Sequence, residues 1–268
     1  MNVDYAAVTG RQQKVWSQGD YGRVGSLLSW MGESLVQQLD IHSGERVLDI
    51  AAGNGNASLP AARRFADVLA TDYVPELLAE AQRRADADGV SLRTQVADAQ
   101  ALPFEDGEFD VVMSTIGAMF APDQEAVARE MLRVCRSGGR IGMANWTPDS
   151  AVGDMFRIVG KRVPPPQGVR PAVAWGSQER VTELLGAGCR ELRATRRTCP
   201  WRYPSAEACL AYFQAWYGPV IAAFAAVGDA GRGDLEAEVS AMFSSHNIAD
   251  DGTFAMDVTY LEVVGVRA

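Results

Sequence analysis

The segment Arg46-Val-Leu-Asp-Ile-Ala-Ala-Gly-Asn-Gly-Asn-Ala57 constrains the fold of this chain more than any other stretch. A short apolar run carries an aspartate near its end and breaks into a turn with two glycines. Residues 57–65 then fit a helix. Apolar runs that stop this abruptly suit strands of a parallel sheet, which are covered on both faces. A glycine turn between strand and helix lets backbone N–H groups come close to a small polar ligand. The turn alone does not say which ligand.

The pattern of that segment repeats. Strand candidates fall at 46–50, 67–71, 92–96, 109–114 and 140–145, with helix candidates at 57–65, 75–87 and 124–134 between them. Such alternation predicts βαβ units and an α/β fold with a parallel sheet. Pro75 is a good first helical residue, and Gly138-Gly139 reads as the stop after a helix over 124–136. Residues 1–43 read as mainly helical, with aromatics at Tyr5, Trp16, Tyr21 and Trp30. Beyond Asn145 the character changes. Residues 164–171 hold four prolines and cannot be helix interior. A helix at 178–185, a strand at 191–199, a long apolar helical region at 205–227 broken near Gly218-Pro219, a loop at 228–234 and a closing strand at 254–267 follow.

Composition narrows the functional classes. The 268 residues suffice for one core, read as a single domain. A net charge of -9 disfavours broad contact with nucleic acid or anionic membrane. No apolar run is long enough to span a bilayer, and the first residues lack a basic-then-apolar leader pattern, so a cytoplasmic location is expected. The four cysteines, Cys135, Cys189, Cys199 and Cys209, form no Cys-x-x-Cys pair and read as free thiols. With only His42 and His246 besides, no metal site is expected.

Two further carboxylates bear on the ligand. A Gly-x-Gly-x-x-Gly dinucleotide loop needs glycine or alanine where Ser58 stands, so that fingerprint is incomplete. Asp72 ends the second strand, where an acidic residue suits a ribose diol; capping the helix that starts at Pro75 is its plainer role. Asp98 follows the third strand at its carboxyl end, placed to accept from an exocyclic amine, with the N–H of Ala99 beside it. Here the chain resembles the class I S-adenosylmethionine-dependent methyltransferases. The matching motifs are Val47-Leu-Asp-Ile-Ala-Ala-Gly-Asn-Gly55, Thr71-Asp-Tyr73, Ala97-Asp-Ala99, Phe109-Asp-Val-Val-Met113 and Leu132-Arg-Val-Cys-Arg-Ser-Gly-Gly-Arg140, in the family's order. Gly19-Asp-Tyr21, residues 117–123 and Trp146-Thr-Pro148 are similar to the bacterial small-molecule enzymes of the ubiquinone/menaquinone-biosynthesis type. One departure stands out: Ala51 occupies the usual place of the first loop glycine, and fits if its φ stays negative.

The resemblance implies a Rossmann-like, seven-stranded, mostly parallel sheet with helices on both faces and an antiparallel last strand. It also implies an N-terminal helical cap (1–43), a cofactor core (44–146) and a C-terminal half (147–268) with a substrate lid around 204–247. The cofactor would be S-adenosyl-L-methionine, leaving as S-adenosyl-L-homocysteine. The family pattern gives Asp49, Ala51, Gly53, Asn54 and Gly55 to its methionine part, Asp72 and Tyr73 to the ribose and adenosine, and Asp98, Ala99 and Gln100 to the adenine end. Ser114, Thr115 and Met119 would lie near the sulfonium.

The acceptor side is less determined. Methyl transfer needs an aligned nucleophile and, for some acceptors, a base. His42 lies at the wrong edge of the sheet, and His246 follows a C-terminal helix where a solvated position is the plainer reading. Asp20 and Tyr21 are the catalytic candidates, against capping and packing roles. Asn145 and Trp146 are expected to face the same pocket. Phe120, Trp146, Tyr212 and Trp216 are the substrate candidates, although aromatics at helical spacing over 212–224 also suit plain core packing. Trp175 and residues 164–171 would add an edge. The arginines 190, 193, 196, 197 and 202 read as a solvated strand face. The expected partner is a small, partly apolar or aromatic acceptor, with no nucleic acid or membrane, in a monomer or homodimer. The competing reading is a protein that binds S-adenosylmethionine or its product without transferring methyl. A nicotinamide-dependent reductase is weaker still, for want of a Tyr-x-x-x-Lys constellation.

Overall fold

The structure, a computed structural model, describes residues 3–268. Three helices come first, α1 (Tyr5–Trp16), α2 (Tyr21–Ser26) and α3 (Ser29–Gln38). The alternating part follows: β1 (Arg46–Ile50), α4 (Ser58–Ala62), β2 (Asp67–Asp72), α5 (Pro75–Asp88), β3 (Arg93–Val96), β4 (Phe109–Thr115), α6 (Gln124–Val134) and β5 (Cys135–Trp146). The C-terminal part adds α7 (Ala151–Arg162), α8 (Gln178–Leu185), β6 (Cys189–Tyr203), α9 (Ala206–Trp216), α10 (Gly218–His246) and β7 (Phe254–Arg267).

All seven strands join one sheet in the order β3-β2-β1-β4-β5-β7-β6. The first five are mutually parallel, and β7 runs antiparallel between β5 and β6. This is the Rossmann-like architecture expected, antiparallel last strand included. Strand order reverses at β1 and β4, where a crevice opens beyond the carboxyl ends of the strands. Central strands are apolar on both faces: Leu48 pairs in register with Leu69 on one side and Val112 on the other. Leu35 and Val36 of α3, with Leu39 just after it, cover β1 and β4 through Val47, Val111 and Met113. On the other face α6 buries Val127, Met131 and Val134. Caps set the helix starts: the side chains of Asp123, Ser150, Ser177 and Ser205 accept from backbone N–H groups at α6, α7, α8 and α9.

Three local expectations are corrected. Gly138-Gly139 do not end a helix; α6 stops at Val134, and the pair lies inside β5, beside a register shift between Phe109 and Val111. Gly138 has φ 74, and a Cβ on Gly139 would meet the carbonyl oxygen of Asp110 at 2.7 Å, so the glycines admit a bulge. Residues 228–234 are not a loop. The α10 helix runs through them with one kink at Gly228 (φ 59, ψ -167), because Leu235, Val239, Met242 and Phe243 beyond it bury one face. The helix expected over 57–65 shortens to α4, ending before Phe65 at φ 60.

The N-terminal helices are tied to the rest from two sides. Gly19 bridges Tyr217, with Asp20 N–H donating to the Trp216 carbonyl at 3.2 Å. The Gln13 amide of α1 donates to the Tyr73 carbonyl. Along the β6 edge, Arg193, Arg196 and Arg202 reach Gln38, Asp149 and Asp257 on the surface. Arg197 departs from a solvated face: its Nε donates at 2.6 Å to Glu262, a buried carboxylate that also accepts from Ser34 Oγ at 2.7 Å. Among the described residues no helix is long and apolar enough to cross a membrane, and no cluster of three or more His, Cys, Asp or Glu could hold a metal ion.

Candidate active site

The turn after β1 is built around Asp72. One oxygen of its carboxylate accepts from Gly53 N–H and the other from Val74 N–H, each at 2.9 Å. The aspartate at the end of β2 thus holds both the turn after β1 and the start of α5. Each oxygen keeps a free lone pair for a ligand. Burial pushes Asp72 up to about 6, against the opposing effect of those backbone hydrogen bonds. Asp49 lies deeper. Burial raises it to about 7, and Ser58 Oγ donates to it at 2.5 Å.

Ala51 and Gly117 lock the turn against β4. Ala51 has φ 50, so the expectation of a negative φ is overturned, and the alanine sits where glycine is favoured. A Cβ on Gly117 would meet the Ala51 carbonyl oxygen at 1.9 Å, so only glycine fits there. Between them, Ile116 also has a positive φ, 63, a genuine outlier for a β-branched side chain.

Above this floor lies a cavity of about 60 Å3, or about 730 Å3 with its open mouth counted. Thr9, Gln12, Trp16 and Tyr21 roof it, Asp72, Tyr73 and Asp98–Gln100 close one end, and Thr115–Ala118 and Phe120 the other. Its polar groups are mostly acceptors. Gln12 Oε1, Asn54 Oδ1 and Thr115 Oγ1 are buried in its wall without a hydrogen-bond partner, which costs stability until a ligand donor meets them. None of the described lining residues is Lys or Arg. An acceptor-rich wall with two carboxylates suits a ligand rich in donors and positive charge, and offers nothing for a pyrophosphate. A sulfonium bearing an α-amino group, a ribose diol and an exocyclic amine has those donors, so the residues fit S-adenosylmethionine.

Of the residues singled out in the sequence, Tyr21, Ala51, Gly53, Asn54, Asp72, Tyr73, Asp98, Ala99, Gln100, Thr115 and Phe120 line this cavity. Others do not. Asp20 is exposed and pairs with Arg23 at 3.2 Å, outside the wall. Asp49 is buried behind the turn, and Gly55 packs on Ala81 of α5. Ser114 Oγ is consumed in the framework, donating to the Ile50 carbonyl at 2.7 Å and accepting from Ala118 N–H. Met119 lines a separate apolar groove between α1, α7 and residues 163–173, and Trp175 is fully buried. Tyr212 and Trp216 face the surface side of α9: the Tyr212 hydroxyl donates to the Arg23 carbonyl, and Arg23 lies over the Trp216 ring. His246 meets Asp154 of α7 at 2.7 Å, away from the cavity. Thr9, Gln12 and Trp16 were missed, because no local pattern marks which face of α1 folds over a distant turn. Ile116-Gly117 had a signal, lying immediately after a strand that points at the site.

Behind the cavity, sharing Tyr21 and Ile116 with it, is an apolar chamber of only about 10 Å3, packed round by Trp146, Trp201, Phe213, Tyr217, Met155 and aliphatic neighbours. Trp201 stacks on Phe213 at 4.9 Å, and Trp146 meets Trp201 edge-on at 6.1 Å. Trp16 joins Tyr21, Phe120 and Tyr217 at centroid distances of 5.5, 4.8 and 5.7 Å. Asn145 does not share this chamber, because adjacent strand residues face opposite sides of the sheet. Burial, then the charge of Asp72, holds the Tyr21 phenol far above its ordinary range, and burial does the same at Tyr217. Both are hydrogen-bond donors at neutral pH, not bases.

Known proteins are similar to this chain. A family model described as a methyltransferase domain matches residues 47–139. An uncharacterized protein of Mycobacterium tuberculosis is 44% identical over 218 residues, covering 80% of each chain. Demethylmenaquinone methyltransferase of Thermus thermophilus is 36% identical over 145 residues, 53% of this chain and 66% of its own. The crystal structure of the YcgJ protein from Bacillus subtilis superposes with a TM-score of 0.62 at 20% identity, covering 88% of this chain and 98% of that one, a likeness of fold. Sheet order, turn and relatives agree: the chain belongs to the class I S-adenosylmethionine-dependent methyltransferases.

Proposed function

We propose that this protein transfers the methyl group of S-adenosylmethionine to a small, partly apolar or aromatic acceptor, chiefly by holding the two in line. One observation carries the reading. A cavity of unsatisfied acceptors and carboxylates, without Lys or Arg, adjoins a tightly packed aromatic cluster, the two sharing Tyr21 and Ile116. The first suits a donor-rich cation, the second an apolar neighbour.

Bound there, the cofactor supplies an electrophilic methyl carbon on a sulfonium. The protein's residues do the rest. Asp72 takes the ribose hydroxyls with its free lone pairs, and Tyr73 packs along the adenosine. Asp98 and the N–H of Ala99 read the adenine edge, and Gln100, which donates to both Asp98 and Thr9, ties the α1 roof down over them. Asn54, Gln12 and Thr115 offer acceptors to the methionine and sulfonium end, and Phe120 and Trp146 flank the acceptor. Phe213 of α9 and Tyr217, the residue before α10, close one side of the chamber. Orientation of this kind contributes up to about 7–11 kcal/mol of a displacement barrier without acid–base help. Four separate thiols, a small-molecule cavity and the lack of a membrane-crossing helix among the described residues support a cytoplasmic enzyme.

A second reading has one observation in its favour: no side chain in the chamber wall can take a proton, so the protein could bind the cofactor without transferring methyl. Isothermal titration is expected to show binding of S-adenosylmethionine and S-adenosylhomocysteine, and its absence would refute both readings. Formation of S-adenosylhomocysteine on addition of an aromatic acceptor separates them.

A further inference from the structure

We infer that the groove between α1, α7 and residues 163–173 binds an amphiphilic anion, its apolar body in the groove and its carboxylate or phosphate head at Arg11 and Arg170. We infer also that this ligand and the cofactor each strengthen the binding of the other. A second ligand site is assigned, and it stands without the methyl-transfer reading.

The groove has the room. It holds about 620 Å3, within the range of about 300–1,000 Å3 usual for ligand sites, against about 60 Å3 in the cofactor cavity without its mouth. Val8, Arg11, Gln12 and Val15 recur at helical spacing and turn one face of α1 to it. Phe156 and Val159 of α7 and the prolines 164–166 line it as well. Proline has no N–H, so that wall offers no backbone donors and suits an apolar body. The wall is set by the fold: a Cβ on Gly168 (φ 89) would meet Val3 at 2.8 Å, and Gln124 Nε2 donates to the Pro171 carbonyl at 3.1 Å. A preset wall spares a ligand the cost of ordering it. Gly160 of α7 also lines the groove, and a Cβ there would meet nothing within 4 Å. Space is left open at a position where glycine weakens the helix.

The charges are of one sign. Arg11 and Arg170 are the charged side chains among the described lining residues, with no Asp, Glu, His or Lys, in a chain whose net charge is -9. Both are exposed, so a charged head can stay in water while the body is buried. Among the described residues Arg11 has no carboxylate within ion-pairing distance. Arg170 reaches Glu125 only at 4.0 Å, and Arg180 already holds that carboxylate at 2.6 Å. Two guanidinium groups with donors to spare suit the oxygens of a carboxylate or a phosphate.

The link to the cofactor lies in the shared wall. Gln12, Trp16 and Phe120 line both the groove and the cofactor cavity, and Gln12 Oε1 is buried without a partner. A cofactor donor that meets this oxygen fixes a side chain of the groove wall. Each ligand thus prepares the wall for the other, by the same factor in both directions.

Isothermal titration of the whole protein compares 2-naphthoate and 2-naphthyl phosphate with 2-naphthol, 2-naphthylmethylammonium and acetate. The better of the two naphthyl anions is expected to bind about fivefold or more tightly than 2-naphthol, and more tightly still than the ammonium. It names the head group. Equal affinities across the naphthyl series, or acetate binding as tightly as 2-naphthoate, overturn the inference. Arg11→Gln and Arg170→Gln should each weaken that anion about threefold and leave 2-naphthol unchanged; no loss in either overturns the head site. Gly160→Phe should weaken every naphthyl probe at least tenfold, and unchanged affinities place the ligand elsewhere and overturn the groove. If that variant does not fold, the two arginine variants, on the exposed rim, still decide the case. Saturating S-adenosylhomocysteine should tighten the anion at least threefold, and the anion should tighten S-adenosylhomocysteine equally; no change overturns the link between the sites. If S-adenosylhomocysteine itself does not bind, the methyl-transfer reading fails, while the titrations made without it still decide the groove.

Discussion

The cofactor cavity and the aromatic chamber share two residues and little else. The cavity is made of backbone turns at positive φ, buried carboxylates and polar atoms without partners. The chamber is made of rings that already pack on one another, stacked at Trp201 and Phe213 and edge to face elsewhere. The first is an unfinished polar site that a ligand completes; the second is a piece of hydrophobic core. Folding tolerates the cavity because surrounding structure enforces it, so single changes there should cost more than matched changes in the chamber.

The largest effect is expected at Gly117, which has no slack. A Cβ there would sit 1.9 Å from a backbone oxygen of the cofactor turn, and backbone cannot step aside as a flexible side chain can. Gly117→Ala should cost about 3 kcal/mol or more and remove cofactor binding. Urea denaturation with parallel calorimetric titration measures both. A loss under about 1 kcal/mol would show the turn to be soft and erase the contrast with the chamber.

Next comes the buried charge. The pKa of Asp72 is raised on folding, from an ordinary 3.8 to about 6. The folded state therefore holds the proton more tightly than the unfolded one. The resulting stabilisation is complete below about pH 4 and is lost as pH rises through 6. Two units amount to about 3 kcal/mol. Asp72→Asn loses one backbone acceptor at every pH but does not titrate. The stability gap between wild type and variant should therefore move in the variant's favour by up to that amount between pH 4 and 7.5. A gap constant with pH would mean that Asp72 titrates normally. In the same cavity, Asp72→Ala should weaken S-adenosylmethionine binding by about 1–3 kcal/mol, and an unchanged affinity would remove the ribose from its role.

The same contrast explains what the sequence made legible. The turn, Asp72 and Asp98 sit at or just past the carboxyl ends of β1, β2 and β3, so strand order alone brings them together, and the sheet follows from the alternation. The chamber draws on α2, the residue after β4, β5, α7, β6, α9 and the residue that joins α9 to α10, up to about 200 positions apart, and nothing local says which ring of α9 turns inward. Phe213 does, while Tyr212 and Trp216, equally aromatic, lie over Arg23. Gly138-Gly139 misled because a bulge and a helix stop use the same residue. Gly228 to Asp234 misled because burial beyond the kink outweighs a weak local preference.

The smallest effect asks whether the departure at Ala51 is a cost or a fit. An alanine at φ 50 carries about 1–2 kcal/mol of left-handed strain. Glycine would relieve it but give back about 0.5–1 kcal/mol of backbone freedom in the unfolded chain. It would also leave unfilled the space of a methyl that closes the gap over Gly117, a position with no side chain of its own, at up to about 0.8 kcal/mol. These terms nearly cancel, so Ala51→Gly should change stability by no more than about 0.5 kcal/mol in thermal unfolding. A gain above 1 kcal/mol would mean that the strain is uncompensated and is kept for the site. A loss above 1 kcal/mol would mean that Ala51 and Gly117 form one packing unit, the cavity having exchanged which of two facing positions carries the methyl.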